Sequence, residues 1–183
     1  MRYLQSFFSA AAILTFAFVA QAAPAAPAPA PVPLTDAQVL GLLSTANDAE
    51  INMAQVAVTK AQNNNVKAFA AKMITDHTAN KAAIAVVETK SGLKRADSDA
   101  SIQLKKDADA MVDSLKNAKT SDFDRSYISG QVTMHQNLLN ALDTTLIPGA
   151  KNADVKTYLT NTRAAVQAHL QLAQKIQGSL EIY

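Results

Sequence analysis

The sequence predicts an all-α fold, an antiparallel four-helix bundle with an extra helical segment between helices two and three. Three observations support this prediction. Apolar residues recur every three or four positions over long stretches, and the few glycines and prolines of these stretches stand mainly at their boundaries. No stretch alternates between apolar and polar residues for long enough to predict a strand. Long helices with short connections pack as antiparallel neighbours.

The first two helices are separated by a run of three asparagines. Helix one is predicted from the N-cap residue Thr35 towards Asn63, where the asparagines indicate a turn. Helix two is predicted from about Val66 to Lys90, because Ser91-Gly92 is a helix stop. These two helices should therefore form one hairpin.

The second half of the chain repeats this arrangement. A less regular helical segment is predicted from Ser101 to Ala118. Helix three follows from a cap at Thr120 or Ser121 and ends at Ile147-Pro148-Gly149, and helix four begins near Asn152. Helices three and four should form the second hairpin.

The N-terminal residues predict export. Residues 1–22 contain one Arg, an apolar run of about 14 residues and a small-x-small site, which is the layout of a secretory signal peptide. That run is shorter than the ~20 residues of a membrane-spanning helix, although an uncleaved anchor is an alternative. Residues 23–34 form a Pro/Ala-rich linker, and residues 35–183 form the helical domain. A periplasmic or secreted protein without a stable membrane span is expected.

Composition excludes several classes of function. The chain has 17 basic and 15 acidic residues, so its charge gives no reason to expect binding to nucleic acid. It has no cysteine, which rules out thiol chemistry and cysteine–metal sites. No glycine-rich phosphate loop and no nucleophile beside a base is recognisable. The sequence predicts no particular partner.

Each predicted helix carries one ionisable residue on its apolar face: Glu50, His77, His135 and His169, in chain order. Glu50 and His77 lie about equally far from the asparagine turn, roughly 20 Å at 1.5 Å per residue. His135 and His169 lie within about one helical turn of each other. Whether the two pairs lie at the same height along the bundle depends on how the two hairpins pack against each other.

Three interpretations of these four residues remain open. Three neutral imidazoles and one carboxylate could bind one transition metal ion. The same side chains could instead hydrogen-bond each other in a polar layer that fixes helix register, or they could be partly exposed and unrelated. For a metal site, outer hydrogen-bond partners are expected, and the candidates are Asp76, Asp124 and Tyr127. Asp76 should serve a histidine of another helix, since adjacent residues point in different directions.

Two motifs carry a resemblance to a known family. They are K-x-F-A-x-x-M-x-x-D-H at residues 67–77, and F-D-x-x-Y with a His eight residues after the Tyr, at residues 123–135. Over about residues 36–176 the chain resembles the exported bacterial proteins filed as domain of unknown function 4142. The resemblance implies a ferritin-like bundle and no settled activity. Family members usually have a proline before the last His, where this chain has residues 162–165 without one.

A ferritin-like fold raises the question of a di-iron centre, which the residues argue against. Such a centre needs several carboxylates and Glu-x-x-His pairs, and no Glu-x-x-His occurs in the sequence. The sequence therefore predicts an exported bundle with a binding or structural role in the envelope or in stress tolerance. The alternatives are a mononuclear metal-binding protein using Glu50, His77, His135 and His169, or a metal-dependent enzyme with the same centre.

Overall fold

The computed structural model describes residues 33–180, which form helices and the connections between them. The helices are α1 (Asp36–Lys60), α2 (Asn64–Ser91), α3 (Asp99–Asn117), α4 (Thr120–Ala141), the short α5 (Ile147–Gly149) and α6 (Ala153–Leu180). The predicted all-α class is confirmed, with no strand in this part of the chain. The predicted signal peptide and the linker up to residue 32 lie outside the described residues. Within residues 33–180, no helix is long and apolar enough to cross a membrane.

Two helical segments differ in regularity from their predictions. The segment predicted as less regular is a helix of 19 residues, α3, and Ser98 caps it in a capping box with Ser101. Predicted helix three is not a uniform α-helix, because a π-helical turn at Leu142–Leu146 joins α4 to α5. Hydrophobic spacing does not reveal this π-turn, since its buried residues Leu142 and Leu146 are four residues apart, a spacing that an α-helix also shows.

Helix packing brings four of the helices around a common interior. α1 lies along α2 and α3, α2 also contacts α6, and α6 contacts α4. The connection from α2 to α3 crosses α1 closely at Gly41, where an added Cβ would lie 2.1 Å from the carbonyl oxygen of Ala96. The Ala96 N–H donates to the Ala37 carbonyl at 2.9 Å. A glycine is thus required where this connection passes over α1.

The interior has two apolar clusters with polar side chains between them. The first apolar cluster is built around Phe69 and Tyr127, near the α1–α2 turn. The second apolar cluster is built around Leu40 and Leu159. The buried polar residues of α1, α2, α4 and α6 form what we term the polar layer: Asn47, Glu50, His77, Gln131, His135, Thr162 and His169. In each of α1, α2, α4 and α6, the polar-layer residues follow in sequence the residues of one cluster and precede those of the other, apart from a short overlap.

Candidate metal centre

Three helices each place one histidine in the polar layer. His77 on α2, His135 on α4 and His169 on α6 are 7%, 2% and 3% exposed. His77 lies one helical turn beyond buried Met73 and seven residues before buried Ile84, so helical periodicity turns it inward. One ring nitrogen of each histidine lies within 4.8 Å of the others. The ring centroids are 5.4 to 6.1 Å apart, so all three histidines of the sequence meet in the core.

Hydrogen bonds to neighbouring groups fix the tautomers of two of these rings. His77 Nδ1 lies 2.7 Å from Asn47 Oδ1. The Asn47 amide nitrogen donates to Asn80 Oδ1 at 3.3 Å, so Asn47 Oδ1 is the acceptor and His77 Nδ1 carries the proton. His135 Nδ1 lies 2.9 Å from the backbone carbonyl oxygen of Gln131, which can only accept. Both rings therefore carry their proton on Nδ1.

The third ring carries its proton on the other nitrogen. His169 Nε2 lies 2.7 Å from Asp76 Oδ2. The same carboxylate oxygen lies 2.8 Å from Lys72 Nζ, which keeps Asp76 ionised and unable to donate. His169 Nε2 is therefore the donor, and Nδ1 holds the lone pair.

The remaining nitrogen of each ring is a lone-pair acceptor. His77 Nε2 and His169 Nδ1 are buried and have no hydrogen-bond partner. His135 is left with Nε2 in the same form, because its Nδ1 is the donor. Neutral imidazole nitrogens of this kind are metal ligands. The three outer acceptors are an amide oxygen, a backbone carbonyl and a carboxylate, which is the kind of support that metal-binding histidines receive.

Burial keeps the imidazoles of His77 and His169 neutral. It lowers the pKa of His77 to about 3, and the neighbouring His135 and His169 lower it as well. Burial also lowers the pKa of His169, against the opposing hydrogen bond to Asp76. A histidine must be deprotonated to bind a metal, so both side chains are in the binding form at neutral pH.

Glu50 lies beside the histidines and not among their ligand nitrogens. Its Oε2 accepts a hydrogen bond from Gln131 Nε2 at 2.8 Å, and its Oε1 lies 3.9 Å from His135 Nδ1. That nitrogen is the proton-bearing one, so Glu50 faces the outer side of the His135 ring. The structure brings Glu50 next to one of the three predicted histidines, His135, but leaves its carboxylate outside the group of three nitrogens.

The two carboxylates near the centre have opposite environments. Burial raises the pKa of Glu50 above its usual value, although His135 opposes this shift. Burial would also raise the pKa of Asp76, but hydrogen bonds from Lys72 and His169 hold it below its usual value. Asp76 is therefore a permanent negative charge behind one ring, whereas burial disfavours the charged form of Glu50.

The structure separates the three predicted outer partners. Asp76 contacts His169, a residue of another helix. Asp124 lies at the α1–α2 turn, where it accepts hydrogen bonds from the backbone N–H groups of Gln62 and Asn63 at 2.7 to 3.2 Å. Tyr127 is buried in the first apolar cluster with its hydroxyl unpartnered. Only one of the three contacts a histidine.

Sequence reasoning missed the partners of the other two rings. Asn47 lies three residues before Glu50, on the same face of α1, and this spacing could have pointed to it. Gln131 lies one turn before His135, where its carbonyl is within reach of a side chain four residues later. Asn80 extends the network, since it donates to Thr162 Oγ1 at 3.2 Å and accepts from the Tyr158 hydroxyl.

A cavity of about 330 Å³ adjoins the three histidines. Glu50 and Asn80 contribute to its polar side. Much of the remaining wall is apolar, with contributions from Leu42, Leu43, Leu104, Met134, Leu138 and Val166. The histidine centre is therefore next to a space large enough for a small molecule.

The positions of the nitrogens fit one metal ion. Zinc–nitrogen bonds of about 2.0–2.1 Å place the ligands of a tetrahedral site about 3.3 Å apart. The three nitrogens lie within 4.8 Å of one another. Side-chain rotations that bring them closer by at most about 1.5 Å would complete the contact. Three imidazoles could then hold the ion and leave one coordination position for another ligand.

Comparison with known protein families finds a match. The sequence model of the family described as "Domain of unknown function (DUF4142)" matches residues 20–176. The chain belongs to this family. The resemblance drawn from the two motifs is therefore confirmed, and the family description assigns no activity. No curated protein and no protein of solved structure matches the chain.

Proposed function

We propose that this protein binds one first-row transition metal ion through His77, His135 and His169. The observation that supports the proposal is the set of tautomers: each ring donates its only proton outward. One nitrogen of each ring lies within 4.8 Å of the other two, around a common point. A cation at that point turns three unpartnered acceptors into three ligands.

The tautomers also argue against a purely structural polar layer. Such a layer needs a donor opposite each acceptor, because a buried polar group without a partner costs about 1–3 kcal/mol. His77 Nε2 and His169 Nδ1 are both buried acceptors, and neither has a hydrogen bond. A layer that served only stability would use the three histidines to satisfy one another.

The donor set favours particular metals. Imidazole nitrogens suit zinc, copper, iron and nickel, whereas magnesium and calcium prefer oxygen ligands. The two nearest carboxylates are already engaged, Glu50 with Gln131 and Asp76 with Lys72 and His169. Since the bridging carboxylates of a di-iron centre are missing from this group, the proposed site is mononuclear.

Metal titration of the purified protein tests the proposal. The protein is freed of metal by a chelator, and Zn²⁺ or Co²⁺ binding is followed by isothermal titration calorimetry and elemental analysis. We expect one ion per chain. His135→Gln should weaken binding by at least about 100-fold, because loss of an outer partner alone costs 10–100-fold.

Gln136→Ala is the matched control for that variant. Gln136 is the exposed neighbour of His135, so its substitution should leave the affinity unchanged. Circular dichroism checks that both variants stay helical. Failure of the wild-type protein to take up any of these ions above background would refute the proposal.

The ferritin-like bundle and the export of the chain are part of the same proposal. The contacts of α1 with α2, of α2 with α6 and of α6 with α4 support the bundle, and an experimental structure tests it. The sequence of residues 1–22 supports export. Expression in a bacterium with a periplasm should yield a periplasmic protein beginning at Ala23, as measured by mass spectrometry. A chain that stays in the cytoplasm would contradict export, whereas an exported chain that retains residue 1 would indicate the uncleaved anchor.

A metal-binding protein in the envelope would protect the cell by holding metal ions. We therefore expect a strain without the protein to grow more poorly than its parent under metal excess. Complementation by the wild-type protein should restore growth, and complementation by His135→Gln should not. Equal growth of all strains under excess of every metal tested would contradict this protective role.

A further inference from the structure

The cavity beside the histidines is the feature that extends the proposed function. Three protein ligands leave a fourth position on a tetrahedral ion, which is typical of zinc sites that accept a ligand from outside. All three histidines are among the residues that line the cavity of about 330 Å³. A ligand in the cavity can therefore reach the ion directly.

The charges around the centre favour an anionic group in the fourth position. Three neutral imidazoles leave the full charge of a divalent ion uncompensated. Asp76 already faces Lys72 and His169, and Glu50 faces Gln131 and the outer side of His135. An oxygen anion from outside the chain would supply both the missing ligand and the missing negative charge.

The remainder of the cavity favours a hydrocarbon. Side chains of Leu42, Leu104, Leu138 and Val166 contribute to its wall. At roughly 30 Å³ for each non-hydrogen atom, the share of one water in the liquid, the cavity has room for about ten such atoms. A carboxylate with a chain of eight carbons, octanoate, has that size.

We propose that the cavity binds a medium-chain monocarboxylate, with its carboxylate on the metal ion and its hydrocarbon chain against the apolar wall. This inference rests on the proposed function, since the carboxylate needs the ion. The ligand class follows from two parts of the site, the ion and the wall, and each part can be removed separately.

Calorimetric titration of octanoate into the zinc-loaded protein tests the inference. We expect one octanoate per chain, and an affinity at least tenfold higher than that of acetate, which lacks the hydrocarbon chain. The metal-free protein should bind octanoate at least tenfold more weakly. Octanol, which has the chain without the anion, should also bind at least tenfold more weakly than octanoate.

Two neighbouring alanines provide a matched pair of variants. Ala165 lies on the cavity wall, and Ala164 is exposed on the same helix. Ala165→Phe adds six carbon atoms and should fill roughly 180 Å³ of the cavity at the same share per atom. It should reduce octanoate affinity at least tenfold while leaving zinc affinity within threefold. Ala164→Phe should change neither affinity.

The outcomes separate this inference from the proposed function. Zinc uptake without octanoate binding would overturn the inference alone, and so would equal binding of acetate and octanoate. Equal binding with and without zinc would overturn the role of the ion. Absence of zinc uptake would overturn the proposed function, and the inference with it.

Discussion

Phe69 in the first apolar cluster and His135 in the polar layer are buried to the same degree, with 1% and 2% of their surfaces exposed. Their surroundings differ in kind. Phe69 packs against Tyr127 with the rings edge to face at 6.2 Å, and the Phe69 ring itself has no polar atom that burial could leave unpaired. The histidines of the polar layer keep buried nitrogen atoms without partners.

This difference indicates what each region contributes. An apolar cluster stabilises the folded protein by about 25 cal/mol for each Å² of apolar surface that it buries. A buried acceptor without a donor costs free energy instead. The polar layer therefore weakens the metal-free protein, and we infer that it is kept because its nitrogens bind a ligand.

Truncation of the first apolar cluster should have the largest effect. Phe69→Ala should lower the free energy of unfolding by about 3–5 kcal/mol, because it removes buried surface and leaves a cavity. Urea unfolding followed by circular dichroism measures this loss. Val86→Ala is the control, since Val86 is 53% exposed and its truncation should cost about 0.5 kcal/mol or less. If Phe69→Ala lowered the free energy of unfolding no more than Val86→Ala does, the apolar cluster would not have the stabilising role that distinguishes it from the polar layer.

Metal binding should stabilise the polar layer by a somewhat smaller amount. At a free Zn²⁺ concentration of 100 times the dissociation constant, the free energy of unfolding should rise by about 2.7 kcal/mol, and a chelator should reverse the gain. Phe69→Ala should show the same gain, because Phe69 lies eight residues from His77, roughly 12 Å along α2.

His77→Ala is the variant that should lose the gain. Its unfolding should be the same with Zn²⁺ and with the chelator, as measured by the same urea titration. If His77→Ala were stabilised as much as the wild-type protein, the ion would be bound elsewhere, and the polar layer would have no role in the gain.

Two aspartates with different positions sharpen the comparison further. Asp76→Ala should weaken zinc binding 10–100-fold, or about 1.4–2.7 kcal/mol, because His169 loses the acceptor that orients its ring. Asp124→Ala should leave zinc affinity unchanged and lower the stability by about 1–3 kcal/mol, since it removes the acceptor for two backbone N–H groups at the α1–α2 turn. Calorimetry and urea unfolding measure the two effects. Equal zinc affinities in both variants would contradict the assigned role of Asp76.

Helical periodicity was sufficient to predict the fold class and the inward positions of the histidines. His77 follows buried Met73 by one turn, and a spacing of this kind is visible in the sequence. The relative heights of the two hairpins were not predictable, because they depend on how α2 packs against α6. The structure supplies that packing, and it brings His77 and His169 to a ring separation of 5.5 Å.

The outer partners were harder to predict than the histidines. Asp76 contacts a histidine of another helix, as the sequence predicts, whereas Asp124, also a predicted outer partner, contacts none of the three histidines. Asp124 lies eleven residues before His135, roughly 16 Å along the helix, so its carboxylate cannot reach that ring. Gln131 accepts the hydrogen bond of His135 through its backbone carbonyl. Every residue has this carbonyl, so the residue type does not predict the contact.

The smallest predicted effect compares two histidines in the metal-free protein. His77→Leu leaves Asn47 Oδ1 buried without its donor. His169→Leu leaves Asp76 with Lys72 and with 31% of its side chain exposed, so this carboxylate keeps both a partner and water. Because an unpaired buried acceptor costs at least about 1 kcal/mol, His77→Leu should be less stable than His169→Leu by about that amount. Urea unfolding in the presence of a chelator measures the difference. Equal stabilities would mean that the Asn47 hydrogen bond does not hold His77, and the tautomer assigned to that ring would lose its support.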